Sequence, residues 1–230
     1  IKSRRVLVVT NLATMEAKVL SGTTTATSVE GFRWLNDNQL LLTRDGRAEL
    51  DSYSYYTIDR DGKNTELLIE AKMFKNKPGY AVPFVEGIYS KFPDKVMVTL
   101  SRSSVNARDY YWLDLNTKKT TLVARTPSIK NEDLYRFLFD HNGVAKGFLT
   151  YDTDGPGMGL ISSFYLYNQD GTFDKIGSCR HQGACFQPLA FDIDNTTLLG
   201  VGQAVQSDGS ILNETDTSAL WAYDTISRKF

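Results

Sequence analysis

The sequence predicts an all-β fold: a β-propeller of four-stranded antiparallel blades, incomplete, with about four blades plus a half blade. Three observations predict it. One phrase recurs, an aromatic or β-branched run closing on Ile58-Asp59, Leu113-Asp114, Tyr167-Asn168 and Tyr223-Asp224, at steps of 55, 54 and 56 residues (58 to 113 to 167 to 223). In the clearest copies a turn dipeptide follows, Asp61-Gly62 or Asp170-Gly171, and a short apolar run such as Leu67-Leu68-Ile69 returns, which is a hairpin signal. Each period also has room for four short strands, and a period of this kind is characteristic of propeller blades. A β-sandwich gives many short strands but does not ordinarily repeat one four-strand phrase.

The elements follow in order. Val6–Val9 and Ala17–Leu20 match only the second half of the repeat. The first complete unit reads as strands Val29–Leu35, Gln39–Arg44, Tyr53–Asp59 and Thr65–Glu70, with Asn36-Asp37-Asn38 at the first turn, where Asn and Asp tolerate turn angles and cap them. The second has Phe84–Tyr89, Lys95–Leu100, Asp109–Asp114 and Thr120–Ala124, with Phe92-Pro93-Asp94 at the turn. In the third, strands fall at Tyr135–Phe139, Ala145–Tyr151, Ile161–Asn168 and Phe173–Ile176; Asn131–Phe139 has some helical spacing, but its place in the repeat assigns it to a first strand. The fourth offers Phe186–Phe191, Thr196–Gly202 and Ser218–Asp224. The domain reading is thus one partial propeller over 1–230, with blades near 5–20 (half), 29–70, 84–124, 134–177 and 186–230. Because each blade buries its faces against its neighbours, such a stack is expected either to continue in further sequence or to close by self-association, for example as a head-to-tail pair. Beginning at Ile1 with no secretory signal pattern, the chain looks cut at its start.

Composition narrows the partners. Hydrophobic residues make up 41% and charged residues 23% of the 230, ordinary for a chain that buries a core. Twenty-six basic against 27 acidic residues give a net charge of −1, no field for a phosphate backbone, so nucleic acid is not an expected partner. No apolar run has the length of a membrane span, roughly 18 residues.

Motifs for chemistry are sparse. There is no Gly-x-Ser-x-Gly elbow, phosphate loop, HExxH or dinucleotide fingerprint, so no catalytic residue, cofactor or metal site is predicted. Of the two histidines, His141 reads as an exposed turn residue and His181 as part of a cysteine loop. Asp152-Thr153-Asp154-Gly155 resembles the start of a calcium loop but lacks the distal Glu such loops use. Cys179 and Cys185, if oxidised, close a small loop; as thiols they flank a tight turn, and the sequence leaves both open. Candidate substrate or partner positions are the paired acids Glu132 and Asp133, which could hold a ligand amine but read more simply as a solvated turn. The polar connections beginning at Asp152 (with Asp154) and spanning Gln203–Thr217 (with Asp208, Asn213, Glu214 and Asp216) are further candidates, since long loops on a rigid scaffold collect contacts.

These residues resemble a known family. Phe32-Arg33-Trp34-Leu35-Asn36-Asp37-Asn38 followed by Tyr56-Thr57-Ile58-Asp59-Arg60-Asp61-Gly62, and Phe92-Pro93-Asp94-Lys95-Val96-Met97-Val98 with Tyr111-Trp112-Leu113-Asp114, are similar to blades in the N-terminal propellers of prolyl oligopeptidase family serine peptidases. The bacterial dipeptidyl aminopeptidase and acylaminoacyl-peptidase-like members are nearest in style. The resemblance implies a non-catalytic propeller that gates access of peptide substrates and docks against an α/β-hydrolase domain of the same polypeptide. Two departures stand: the paired-Glu motif of the dipeptidyl peptidases has no counterpart, and the blades fall short of the family's seven or eight. The alternative expectation is a stand-alone protein-interaction propeller, WD-repeat-like or translocation-associated. A carbohydrate-active propeller is a third, needing clustered carboxylates that the sequence does not place. The sequence leaves the compartment open between cytoplasm, periplasm and secretion.

Overall fold

A computed structural model describes residues 5–21, 29–45, 53–70, 84–101, 108–152, 161–180, 186–202 and 219–230. Among these residues the chain is all-β, with seventeen strands and no helix. The strands form five antiparallel sheets in which sequence neighbours are sheet neighbours, as in propeller blades. A half blade pairs β1 (Leu7–Thr10) with β2 (Ala17–Ser21). Blade 1 is β3 (Val29–Asn36), β4 (Gln39–Asp45), β5 (Tyr53–Asp59) and β6 (Glu66–Glu70). Blade 2 is β7 (Phe84–Ile88), β8 (Lys95–Ser101), β9 (Arg108–Asp114) and β10 (Thr120–Ala124). Blade 3 is β11 (Glu132–Phe139), β12 (Ala145–Asp152), β13 (Ile161–Tyr167) and β14 (Phe173–Arg180); blade 4 is β15 (Gln187–Phe191), β16 (Thr197–Gly202) and β17 (Ala219–Asp224).

The expected strands are all present, with ends shifted by a residue or two except in blade 3. There β11 begins at Glu132 rather than Tyr135, and β14 runs on to Arg180. Glu132 and Asp133 are therefore strand residues and not a solvated turn. The turn precedes them: Asn131 takes the left-handed conformation (φ 62°), and the Glu132 amide reaches back to the Ile129 carbonyl at 3.4 Å.

Contacts divide the chain into two compact units, Ile1–Val105 with Asp109–Leu122, and Asn106–Arg108 with Val123–Phe230. In the first, the run Leu40-Leu41-Leu42 on β4 shows why the sheets stack. Successive strand residues face opposite sides, and both sides of this strand are covered, so the run is apolar without alternation. Leu40 and Leu42 join Leu7, Val29 and Ile58 on the side of the half blade, while Leu41 joins Leu35, Tyr55 and Leu68 against Val96, Val98 and Leu113 of blade 2. Each such buried side chain contributes about 1.5–3 kcal/mol. In the second unit, Leu138, Leu149, Phe164 and Leu166 of blade 3 pack on Phe186, Phe191, Leu198 and Tyr223 of blade 4. The opposite face of blade 3 carries a stack of Phe148 on Tyr165, centroids 4.9 Å apart and nearly parallel, with Phe173 edge-on at 5.0 Å.

In blades 2 and 4 the strand-end Asp has a physical role. Asp114 accepts the amides of Asn116 and Thr117 at 3.0 and 2.7 Å, and Asp224 those of Ile226 and Ser227, both at 2.8 Å, so each carboxylate closes the turn that follows its strand. These bonds hold both carboxyls below the ordinary aspartate range. The same turn is tied to the first turn of its blade by a backbone bond seen three times: Arg60 to Asn38 and Leu115 to Asp94, both 2.8 Å, and Thr225 to Thr196 at 3.0 Å. A bulge also recurs between first and second strands, at Val29/Gly31, Val85/Gly87, Leu134/Arg136 and Pro188/Ala190. It skips the exposed residues Glu30, Glu86, Tyr135 and Leu189.

Close strand approach in blade 3 depends on Gly147, where an added Cβ would collide with the Tyr165 carbonyl oxygen; at Gly177 an added Cβ meets nothing within 4 Å. Gly147→Ala is expected to destabilise the chain by about 2 kcal/mol, the usual scale of overpacking, and Gly177→Ala to leave it within about 0.5 kcal/mol, both read by urea denaturation.

Candidate functional site

The densest polar cluster among the described residues is built on β11. Pairing across blade 3 sets Leu134 opposite Thr150, Thr150 opposite Ser163 and Tyr165 opposite Lys175, so one oblique row crosses all four strands. Glu132 anchors it with a side chain only 16% exposed. Its carboxylate accepts from the Thr150 hydroxyl, from the Tyr165 hydroxyl at 3.0 Å to either oxygen, and from the Ser163 hydroxyl at 3.4 Å. The Lys175 ammonium donates from the solvent side at 3.3 Å. Burial first, and then the hydrogen bond to Glu132 and its charge, push the Tyr165 phenol far above its ordinary pKa, which keeps it a donor. Four donors saturate a carboxylate, so Glu132 is a clamp across the blade and not an open acceptor for a ligand amine.

Asp133 lies on the other face. It pairs with Tyr151 across the ladder, and burial together with the Asp133 charge raises the Tyr151 phenol while Arg108 opposes them. The two acids singled out in the sequence therefore diverge. Asp152 ends β12. Asp154, Asp208, Asn213, Glu214, Asp216, His181 and Cys185 lie outside the described residues, as does the side chain of Cys179. His141 occupies an exposed turn, anchored through its amide to Asn195 Oδ1 at 2.7 Å, with its Nε2 2.9 Å from the Phe191 carbonyl. Among the described residues no group of three or more His, Cys, Asp or Glu is placed to hold a metal ion. Among the described residues no helix is long and apolar enough to cross a membrane.

A second feature, unmarked in the sequence, is an open groove in the first unit. A cavity of ≈ 860 Å³ lies among Arg33, Leu35, Asp37, Arg60, Ile88 and Ser90, and another of ≈ 350 Å³ among Glu30, Arg33, Leu41, Thr43, Tyr55 and Val85. Arg33 borders both. No local motif announced it, because its lining is gathered from blade 1 and from Val85, Ile88 and Ser90 of blade 2, some fifty residues after β3.

No protein-family model matches the chain, and no curated protein matches it in sequence. Solved structures do match in shape. An oligogalacturonate lyase from Vibrio parahaemolyticus aligns at 12% identity over 96% of this chain and 55% of its own, with a TM-score of 0.58. An oligogalacturonate lyase in complex with manganese aligns at 14% over 93% and 52%, TM-score 0.54. Dipeptidyl peptidase 4 from Porphyromonas gingivalis aligns at 12% over 99% of this chain and 36% of its own, TM-score 0.54. The chain shares their fold. At such identities the likeness reaches the fold alone, and the chain spans about half the length of the two lyases and about a third of the peptidase.

Removing the Glu132 side chain leaves the buried Thr150 and Tyr165 hydroxyls without their acceptor. Glu132→Ala is expected to cost about 2 kcal/mol or more, whereas Lys175→Ala, which loses only a half-exposed ion pair, should cost under about 1 kcal/mol; urea denaturation of the two variants compares them.

Proposed function

We propose that this chain is the non-catalytic propeller portion of a prolyl-oligopeptidase-type serine peptidase, gating peptide access and docking against a separate α/β-hydrolase domain. The observation that carries the reading is the match of nearly all of this chain to about a third of a dipeptidyl peptidase, alongside the Trp34-turn-Ile58-Asp59 and Pro93-Asp94 blade phrases. In that division of labour the propeller supplies walls and the hydrolase domain supplies nucleophile, base and oxyanion hole. The saturated state of Glu132 agrees with a supporting role for the blade, since a general base needs a free lone pair within reach of its proton.

The likeness to two oligogalacturonate lyases favours a second reading, a propeller that holds an acidic oligosaccharide. The same purified chain separates the two. Incubated with aminoacyl and Xaa-Pro chromogenic peptides, it is expected to release no chromophore above buffer, while the coding sequence beyond Phe230 is expected to carry a Gly-x-Ser-x-Gly. Unaided peptide cleavage would overturn the division of labour, and depolymerisation of oligogalacturonate would move the assignment to the second reading.

A further inference from the structure

Strands β3 and β7 each stand at the edge of their sheets, so one row of backbone groups on each lies outside its ladder. The groove of the first unit runs between them. Arg33 sits midway along β3, exposed, and makes no hydrogen bond or ion pair among the described residues. Arg60 also lines the larger cavity, and among the described residues its side chain is engaged only by a long 3.4 Å bond to the Asp37 carbonyl. The acids of the groove do not cancel this pair. Glu30 is taken by Arg5 at 3.1 Å, which leaves Asp37 against two guanidinium groups. The rest of the lining is mixed, with Leu35, Ile88 and Ser90 in the larger cavity and Thr43, Tyr55 and Val85 in the smaller.

We propose that this groove binds the carboxyl end of an extended peptide, with Arg33 as the carboxylate-binding residue and Arg60 as a secondary anchor. A guanidinium presents paired donors that match a carboxylate in bidentate fashion, and an unpaired one on a groove wall is such a donor without its acceptor. The edge position of β3 and β7 among the described strands favours a peptide over a sugar, because an extended backbone can pair along a strand edge while its alternate side chains lie against the groove. Trp34, 48% exposed next to Arg33 in sequence, supplies a fluorescence report close to the site. The proposal goes beyond the peptidase reading and does not require it, since it concerns binding to the isolated chain.

The test titrates the 230-residue chain with Gly-Ala-Leu-Leu carrying a free carboxylate, with its C-terminal amide, and with digalacturonate, followed by calorimetry and Trp fluorescence. The free acid is expected to bind at least about tenfold tighter than the amide. Arg33→Ala should remove that preference, Arg33→Lys should restore only part of it, and Arg60→Ala should reduce it by less. Because Arg33 is exposed, its variants keep the fold, and the acid-to-amide ratio on the unmodified chain tests the site without any variant. Equal binding of acid and amide, no binding of either at millimolar concentration, binding of digalacturonate alone, or an Arg33→Ala chain that keeps the preference would each overturn the proposal.

Discussion

Within each of the two units, what holds neighbouring sheets together is the burial of their facing apolar surfaces against one another. A four-stranded meander of five- to eight-residue strands cannot hide enough apolar surface by itself, and an isolated hairpin or small sheet in water is marginal. The pattern on β4 states the consequence in one strand: Leu40 and Leu42 serve one interface and Leu41 serves the next. The cluster of the half blade with blade 1 takes in Leu40, Leu42 and Ile58, and Phe32 and Trp34 on β3 are 55% and 48% exposed.

Stacking sheets in this way places chemistry in two kinds of position. Within a blade, polar residues can run in an oblique row across the strands, and Glu132 shows how such a row becomes a buried clamp once every lone pair has a donor. Between blades, edge strands leave grooves whose backbone groups and unpaired side chains face outward. Arg33 belongs to the second kind. The first kind stabilises the scaffold and the second is open to a ligand, so the supporting and binding roles separate by location.

The sequence carried the architecture well because its signals are local. The strand-Asp phrase at Asp114 and Asp224 is a turn device complete within three residues, and in blades 1 and 3 Asp61 and Asp170 serve the corresponding turn by accepting the Lys63 and Thr172 amides. The candidate site was legible only in part. Glu132 drew attention as half of an acidic pair, but its real partners lie 18 to 43 residues away in sequence, on β12, β13 and β14. The period-2 rule, once β11 is seen to start at Glu132, already sends Glu132 and Asp133 to opposite faces. The recurring bulges at Glu30, Glu86, Tyr135 and Leu189 leave no shared residue type, since the skipped position only has to tolerate exposure, and they were invisible for that reason.

The central claim is that successive sheets are bound through their apolar faces, and a double-mutant cycle across one interface tests it most directly. Phe164 on β13 and Tyr223 on β17 belong to different blades and meet edge to face at 6.2 Å. With Phe164→Leu, Tyr223→Leu and the double variant compared by urea denaturation, a coupling of about 0.5–1.5 kcal/mol is expected. Strictly additive losses, with no coupling, would contradict the stacked-blade account.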